Sequence, residues 1–233
     1  MRAVLWDLDG TLVDSAEYHW RAWAATMREA GIAITRAQFL ASFGQRNDTI
    51  LASWLGPRVR KARRAQLGEA KEAAYRRLMR EGGVAPLPGV AAWVERLRRE
   101  GWRQAIASSA PRANVDAVLE ALGWGACFDA VVSAEDVTAG KPDPQVFLAA
   151  ARRLGVPPAR CVVVEDAGSG IEAADRAGMV SVGVGAGAAR ATLAVASLAD
   201  LAPDAFETLL AMPARPGASG GGGHSAGESA EGR

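Results

Sequence analysis

Ala3-Val4-Leu5-Trp6-Asp7-Leu8-Asp9-Gly10-Thr11 opens the chain with four apolar residues that run directly into two acids and a glycine. Such a short run lacks polar–apolar alternation, which predicts a strand buried on both faces, as in a parallel sheet. Runs of the same kind recur at Gln104-Ala105-Ile106-Ala107, Ala130-Val131-Val132, Cys161-Val162-Val163-Val164 and Val180-Ser181-Val182-Gly183-Val184. Helical spacing lies between them: Val115, Val118, Leu119 and Leu122 make one apolar stripe, and Val146, Phe147, Ala150 and Leu154 another. Gly123 and Gly155 follow these stripes as C-terminal stops. The alternation predicts an α/β fold, a doubly wound three-layer parallel sheet with a Rossmann-like core.

From about Ala16 to Gly82 the alternation stops, and the chain reads as successive helices without a strand. We expect a helical cap over residues 15–85, inserted after the first strand, with hinges near Asp14-Ser15 and Gly82-Pro88. Residues 1–14 and 86–212 then form the α/β core. The tail, 213–233, is Gly/Ser-rich and is expected to be disordered, because it carries too little apolar surface to offset its ordering entropy.

Bulk composition narrows the function. The 233 residues are 49% hydrophobic, enough for a buried core, and a net charge of +1 gives no pull toward nucleic acid or membrane. No apolar stretch approaches the roughly 20 residues that span a bilayer, and we expect no signal peptide, because a charged n-region and a long apolar h-region are missing before the first strand. The two cysteines, Cys127 and Cys161, lie in apolar contexts without metal-ligand spacing and read as small buried hydrophobes. A cytoplasmic monomer is the expectation.

Four polar clusters follow strands, at the edge where open α/β sheets bind ligands. In an extended segment Asp7 and Asp9 point to the same side. One carboxylate can attack phosphorus, and its neighbour can protonate the leaving oxygen and later deprotonate the incoming nucleophile. Gly10 permits tight backbone passage toward a phosphate. Ser108 and Ser109 can donate to phosphoryl oxygens, and Lys141, in the Gly140–Pro144 loop, can neutralise charge during transfer. Glu165 and Asp166 suit Mg²⁺, which takes oxygen ligands from one or two carboxylates; a helix-capping role for Asp166 is the alternative.

The four clusters, in this order over residues 1–212, resemble the haloacid dehalogenase-like hydrolase superfamily, in the branch with a helical cap. The resemblance implies a five-stranded parallel core with the first strand central. It also implies Asp7 as nucleophile and metal ligand, and Asp9 as general acid/base that lends its backbone carbonyl to Mg²⁺. Ser108 and Lys141 are implied to hold the phosphoryl group, with Asp166 a metal ligand and Glu165 behind it. An acid at position 9 argues against halide removal and phosphonate cleavage.

Within the branch, Ala16-Glu17-Tyr18-His19-Trp20-Arg21-Ala22-Trp23 is similar to the cap entry of β-phosphoglucomutases and related phosphatases. Trp20, Trp23 and Met27 read as cap core, while His19 is either a packing residue or a polar group at the cleft. Arg46, in Gly44-Gln45-Arg46-Asn47-Asp48, is a candidate clamp for a second anionic group, and Lys71 stands where the mutase pattern has a cleft-facing lysine. That pattern has Ser-Lys-Asn beginning two residues after the phosphate-binding serine; here Ala110-Pro111-Arg112 stand instead. The loss of these donors favours water as final acceptor, hence a phosphatase acting on a small phosphorylated metabolite over a mutase, with Arg112 or Asn114 the residues able to compensate.

Overall fold

The computed structural model describes residues 1–212, so the expectation for the tail lies outside the described residues. Six parallel strands form one sheet in the order β3-β2-β1-β4-β5-β6. These are β1 (Ala3–Trp6), β2 (Arg103–Ala107), β3 (Ala130–Val132), β4 (Cys161–Glu165), β5 (Val180–Val184) and β6 (Leu193–Val195). The expected five-stranded core is therefore corrected to six. β6 is a three-residue, part-exposed edge strand beside β5, too short to leave a pattern.

Burial explains the lack of alternation. Val4 and Trp6 point into one core with Ile106, Val162 and Val164, while Ala3 and Leu5 point into the other with Ala105 and Val163. Helices α5 (Val90–Arg99), α6 (Arg112–Leu122) and α9 (Ala205–Ala211) cover the first face. The second face is covered by α7 (Gln145–Leu154) and α8 (Gly168–Arg176). Every β1 side chain is fully buried, and the strand lies inside the sheet between β2 and β4. The acids that follow it are thereby fixed at the sheet's C-terminal edge.

Four helices occupy the strandless stretch: α1 (Ala16–Glu29), α2 (Arg36–Ser42), α3 (Asn47–Leu55) and α4 (Lys61–Gly82). Trp23, Met27, Phe39, Ile50, Leu51 and Leu67 form their own core, with Trp20 packed against it. Ala22, Tyr75 and Met79 instead join the cluster that holds Trp6. The two connecting segments run side by side, with an antiparallel bridge between Val13 and Pro86 and a bond from Leu87 N–H to Leu12 C=O at 2.9 Å. Cys161 is buried in β4, where burial pushes its thiol up to about 12. Cys127 is only half-buried, short of the expected burial. Among the described residues no helix is long and apolar enough to cross a membrane.

Candidate active site

Asp7 follows β1, its backbone N–H donating to Val164 C=O at 3.0 Å, so β4 holds it at the strand end. Lys141 Nζ donates to Asp7 Oδ1 at 2.5 Å and to Glu165 Oε2 at 2.7 Å, and all three side chains are buried. Burial alone would strip the lysine of its proton, but the two carboxylates outweigh it and hold the ammonium well above its ordinary range. Asp166 stands beside them and accepts from Thr11 Oγ1 at 3.1 Å.

Oxygens of Asp7, Glu165 and Asp166 lie within 4.8 Å of one another. Three carboxylates meet one ammonium here. Burial, and then Glu165, raise Asp7 well above the carboxylate range and push Asp166 up to about 7. An all-oxygen donor set with a deficit of positive charge fits a hard divalent cation, and Mg²⁺ suits it. Gly10 completes the cradle: at φ +88° a β-carbon would lie 2.3 Å from Asp166 Oδ2, so only glycine fits. Asp166 does not cap the helix that follows, whose N-terminus has no side-chain cap; Glu165 Oε1 accepts from the Ala167 N–H at 3.1 Å.

Asp9 faces the helical unit. Its Oδ1 accepts from Ser15 Oγ at 2.5 Å and from His19 Nε2 at 3.0 Å. Lys71 Nζ lies 2.7 Å from His19 Nδ1 and 2.8 Å from Glu72 Oε1. An ammonium can only donate, so Nδ1 accepts and the His19 proton sits on Nε2, aimed at Asp9. The ring stacks on Tyr75 with centroids 4.0 Å apart. Burial would raise the Asp9 pKa, but His19, Ser15 and Lys71 prevail and bring it to about 2. His19 thus has the polar role at the cleft.

Asp7, Asp9, Ser108, Ser109, Ala110 and Pro111 line the core side of a cleft. Trp23, Phe39, Phe43, Ile50, Lys71 and Glu72 line its helical side. Two expected binding residues do not reach it. Arg46 donates from Nη1 to the Ala134 and Val137 carbonyls, at 2.6 and 3.1 Å, and clasps the helical unit to the core. Arg112 is half-exposed and paired with Asp116 at 2.8 Å. Asn114 is also taken, donating to Glu72 Oε2 at 2.5 Å and accepting from Arg76 Nη1 at 2.8 Å. The sequence reading missed Ser15, Tyr75 and Glu72. A signal existed in Leu67, Lys71, Tyr75 and Met79, a four-residue period that puts one lysine in an otherwise apolar stripe.

A family model described as haloacid dehalogenase-like hydrolase matches residues 1–178. The chain is 35% identical over 195 residues to a β-phosphoglucomutase of Bacillus subtilis, covering 80% of this chain and 84% of that one. It is 33% identical over 184 residues to the fructose-1-phosphate phosphatase YqaB of Escherichia coli, covering 78% and 95%. A longer relative, SUPPRESSOR OF QUENCHING 1 of Arabidopsis thaliana, is 37% identical over 209 residues; these are 86% of this chain but 19% of that protein. The crystal structure of a β-phosphoglucomutase from Clostridium difficile superposes with a TM-score of 0.83 at 28% identity, covering 90% of this chain and 97% of that one.

Proposed function

The chain belongs to the haloacid dehalogenase-like hydrolase family, and we propose that it is a Mg²⁺-dependent phosphatase that hydrolyses a small phosphomonoester through a phosphoryl group carried on Asp7. The observation that carries this reading is the buried Asp7–Lys141 pair at the sheet edge, with Asp166 and Glu165 beside it and a cleft in front. Asp7 and Asp166 would hold the ion, with the Asp9 backbone carbonyl, and Glu165 would support it from behind through Lys141. Bound there, it supplies Lewis-acid polarisation of a phosphoryl oxygen and neutralises the carboxylate cluster.

The residues divide the work as follows. An Asp7 oxygen attacks phosphorus, forming an acyl-phosphate bond as the bond to the substrate's leaving oxygen breaks. That oxygen takes its proton from Asp9. Water then gives a proton back to Asp9 and attacks the same phosphorus, releasing phosphate and restoring the Asp7 carboxylate. Lys141 and the Ser108 hydroxyl donate to the transferring group, where charge develops. While His19 and Lys71 hold Asp9 near pKa 2 it is the base. The acid form requires those bonds to loosen, so movement of the helical unit, which we propose acts as the cap over residues 15–85, is tied to the protonation of Asp9. Asp9→Asn should lower kcat by about 10²–10⁴ while leaving substrate binding largely intact.

Ala110 and Pro111 support water as the acceptor: both line the cleft and offer neither a side-chain donor nor, at Pro111, an N–H for a distal phosphate. The names of the relatives favour a second reading, a phosphomutase interconverting β-glucose 1-phosphate and glucose 6-phosphate. Phosphate release over a panel of phosphomonoesters with Mg²⁺, run beside a glucose 6-phosphate assay primed with a trace of bisphosphate, separates the two. Release on several esters with negligible isomerisation is expected. Isomerisation exceeding release by orders of magnitude would replace the phosphatase by the mutase.

A further inference from the structure

We propose that Glu72 sets the substrate class, so that the cleft accepts monophosphates of uncharged polyols and rejects those carrying a second anionic group. The proposal deepens the phosphatase reading and rests on it for the placement of the phosphoryl end at Asp7. The remainder of the substrate must then face the helical wall. Among the described residues lining that wall, the one full cation is Lys71, and it is already committed. It donates to Glu72 and His19, and Asp9 lies on the far side of the imidazole. Glu72 and Lys71 therefore neutralise each other on this wall, and among the described residues lining it no cation is left to hold a second anionic group.

Glu72 cannot turn away from an incoming anion. It is 5% exposed, and both its oxygens are held. Oε1 accepts from Lys71 and from Asn47 Nδ2 at 2.7 Å, and Oε2 accepts from Asn114 Nδ2 at 2.5 Å. Burial alone would favour the neutral acid, yet the Lys71 ammonium and the Asn114 hydrogen bond keep it a carboxylate. The arginines that could neutralise a second phosphate are occupied elsewhere: Arg46 by core carbonyls, Arg76 by Asn114 and Arg112 by Asp116. What the wall does offer suits a neutral sugar or polyol. Phe43, only partly buried, presents an apolar face to C–H groups, and the Gln45 amide, which makes no side-chain hydrogen bond among the described residues, can bond to hydroxyls.

Binding separates this inference from the phosphatase reading, because it needs no turnover. The full chain carrying Asp7→Asn, with Mg²⁺, is titrated calorimetrically with three matched pairs. These are glucose 1-phosphate, glucose 6-phosphate and fructose 1-phosphate, each against the 1,6-bisphosphate of its sugar. A like charge facing a fixed, desolvated carboxylate should weaken binding on the order of 10²-fold, so each monophosphate that binds should be preferred by about that factor. Adding Glu72→Gln should narrow the preference at least tenfold. Gln45→Lys, which puts a cation on the same wall, should do so without touching the Glu72 network, and it carries the test if Glu72→Gln does not fold. Equal or tighter binding of the bisphosphates overturns the proposal, as does a preference that neither folded variant changes, or a failure of all the monophosphates to bind. Isomerisation without phosphate release would overturn the phosphatase reading and leave the measured preference standing.

Discussion

Replacing Gly10 by alanine tests the metal cradle most directly, because two separate costs can be read from the structure. The first is conformational: φ is +88°, and a left-handed backbone costs an L-residue roughly 1–2 kcal/mol. The second is contact. The new β-carbon would sit 2.3 Å from Asp166 Oδ2 and 2.8 Å from its Cγ, well inside van der Waals separation, so the carboxylate must move. Moving it breaks the Thr11 hydrogen bond, worth about 1 kcal/mol, and takes a donor from the cluster with Asp7 and Glu165. A loss of about 2–3 kcal/mol is expected, which for a protein of this size lowers Tm by roughly 4–12 °C. Mg²⁺ affinity should fall by at least 10–100-fold, the range typical when support around a metal site is lost.

Gly101→Ala is the control. Gly101 has φ +75°, but its β-carbon would meet nothing within 4 Å, so it incurs the backbone cost alone. Thermal melts of the metal-free proteins and calorimetric Mg²⁺ titrations read both quantities. Gly101→Ala should lose stability and keep wild-type Mg²⁺ affinity, whereas Gly10→Ala should lose both. A folded Gly10→Ala protein that binds Mg²⁺ within twofold of wild type would refute the placement of Asp166 in the metal site.

Asp7→Asn should abolish phosphate release yet raise the Tm of the metal-free protein, because burial and Glu165 disfavour the charged form of Asp7; a lowered Tm would show that the Lys141 pair outweighs both. Metal-free Tm should fall as pH rises from 5 to 8. Asp7 and Asp166 bind protons more tightly folded than unfolded, so their contribution is present below about pH 4 and lost as pH passes through about 7, whereas Asp9, near 2, stays ionised over that range. Saturating Mg²⁺ should flatten the profile by neutralising the cluster, and an unchanged slope would place the ion elsewhere. Arg46→Ala removes two charge-assisted hydrogen bonds between the helical unit and the core. It should raise KM more than it lowers kcat and speed hydrogen exchange over residues 43–48; unchanged exchange would remove the clasp.

The strands could be read from sequence because burial on both faces leaves a compositional mark, as in Cys161-Val162-Val163-Val164. β6 left no mark, since Leu193, Ala194 and Val195 lie at the sheet edge and bury little. The phosphoryl end of the site was legible for a topological reason. Parallel strands deliver the residues after them to one edge, so Asp7, Ser108 and Glu165 had to converge once the strands were placed. Nothing comparable constrains the helical wall. Arg46 and Arg112 had the right charge and approximate position, but whether an arginine is free depends on carbonyls and acids that meet it only in the fold. Here Ala134 and Val137 claim one, and Asp116 the other.

Glu72 reverses that case and shows which part of a cleft sequence can specify. Beside Lys71, on a helix rich in arginine, it reads as one half of an exposed ion pair, which would contribute little. Buried at the junction of α3, α4 and α6, the pair costs desolvation that Coulomb attraction alone need not offset, so stability alone does not account for it. Two roles follow from its contacts. Through Lys71 and His19 the carboxylate reaches Asp9, so the charge of the helical wall is linked to the group that moves the proton. Through Asn114 it joins α4 to the helix that follows Ser108 and Ser109, so the same side chain holds the wall in place. A residue that must both hold the cap in register and repel a second anion cannot be exchanged for glutamine without altering binding. That double duty is why the matched-pair titration, rather than a stability measurement, reads its function.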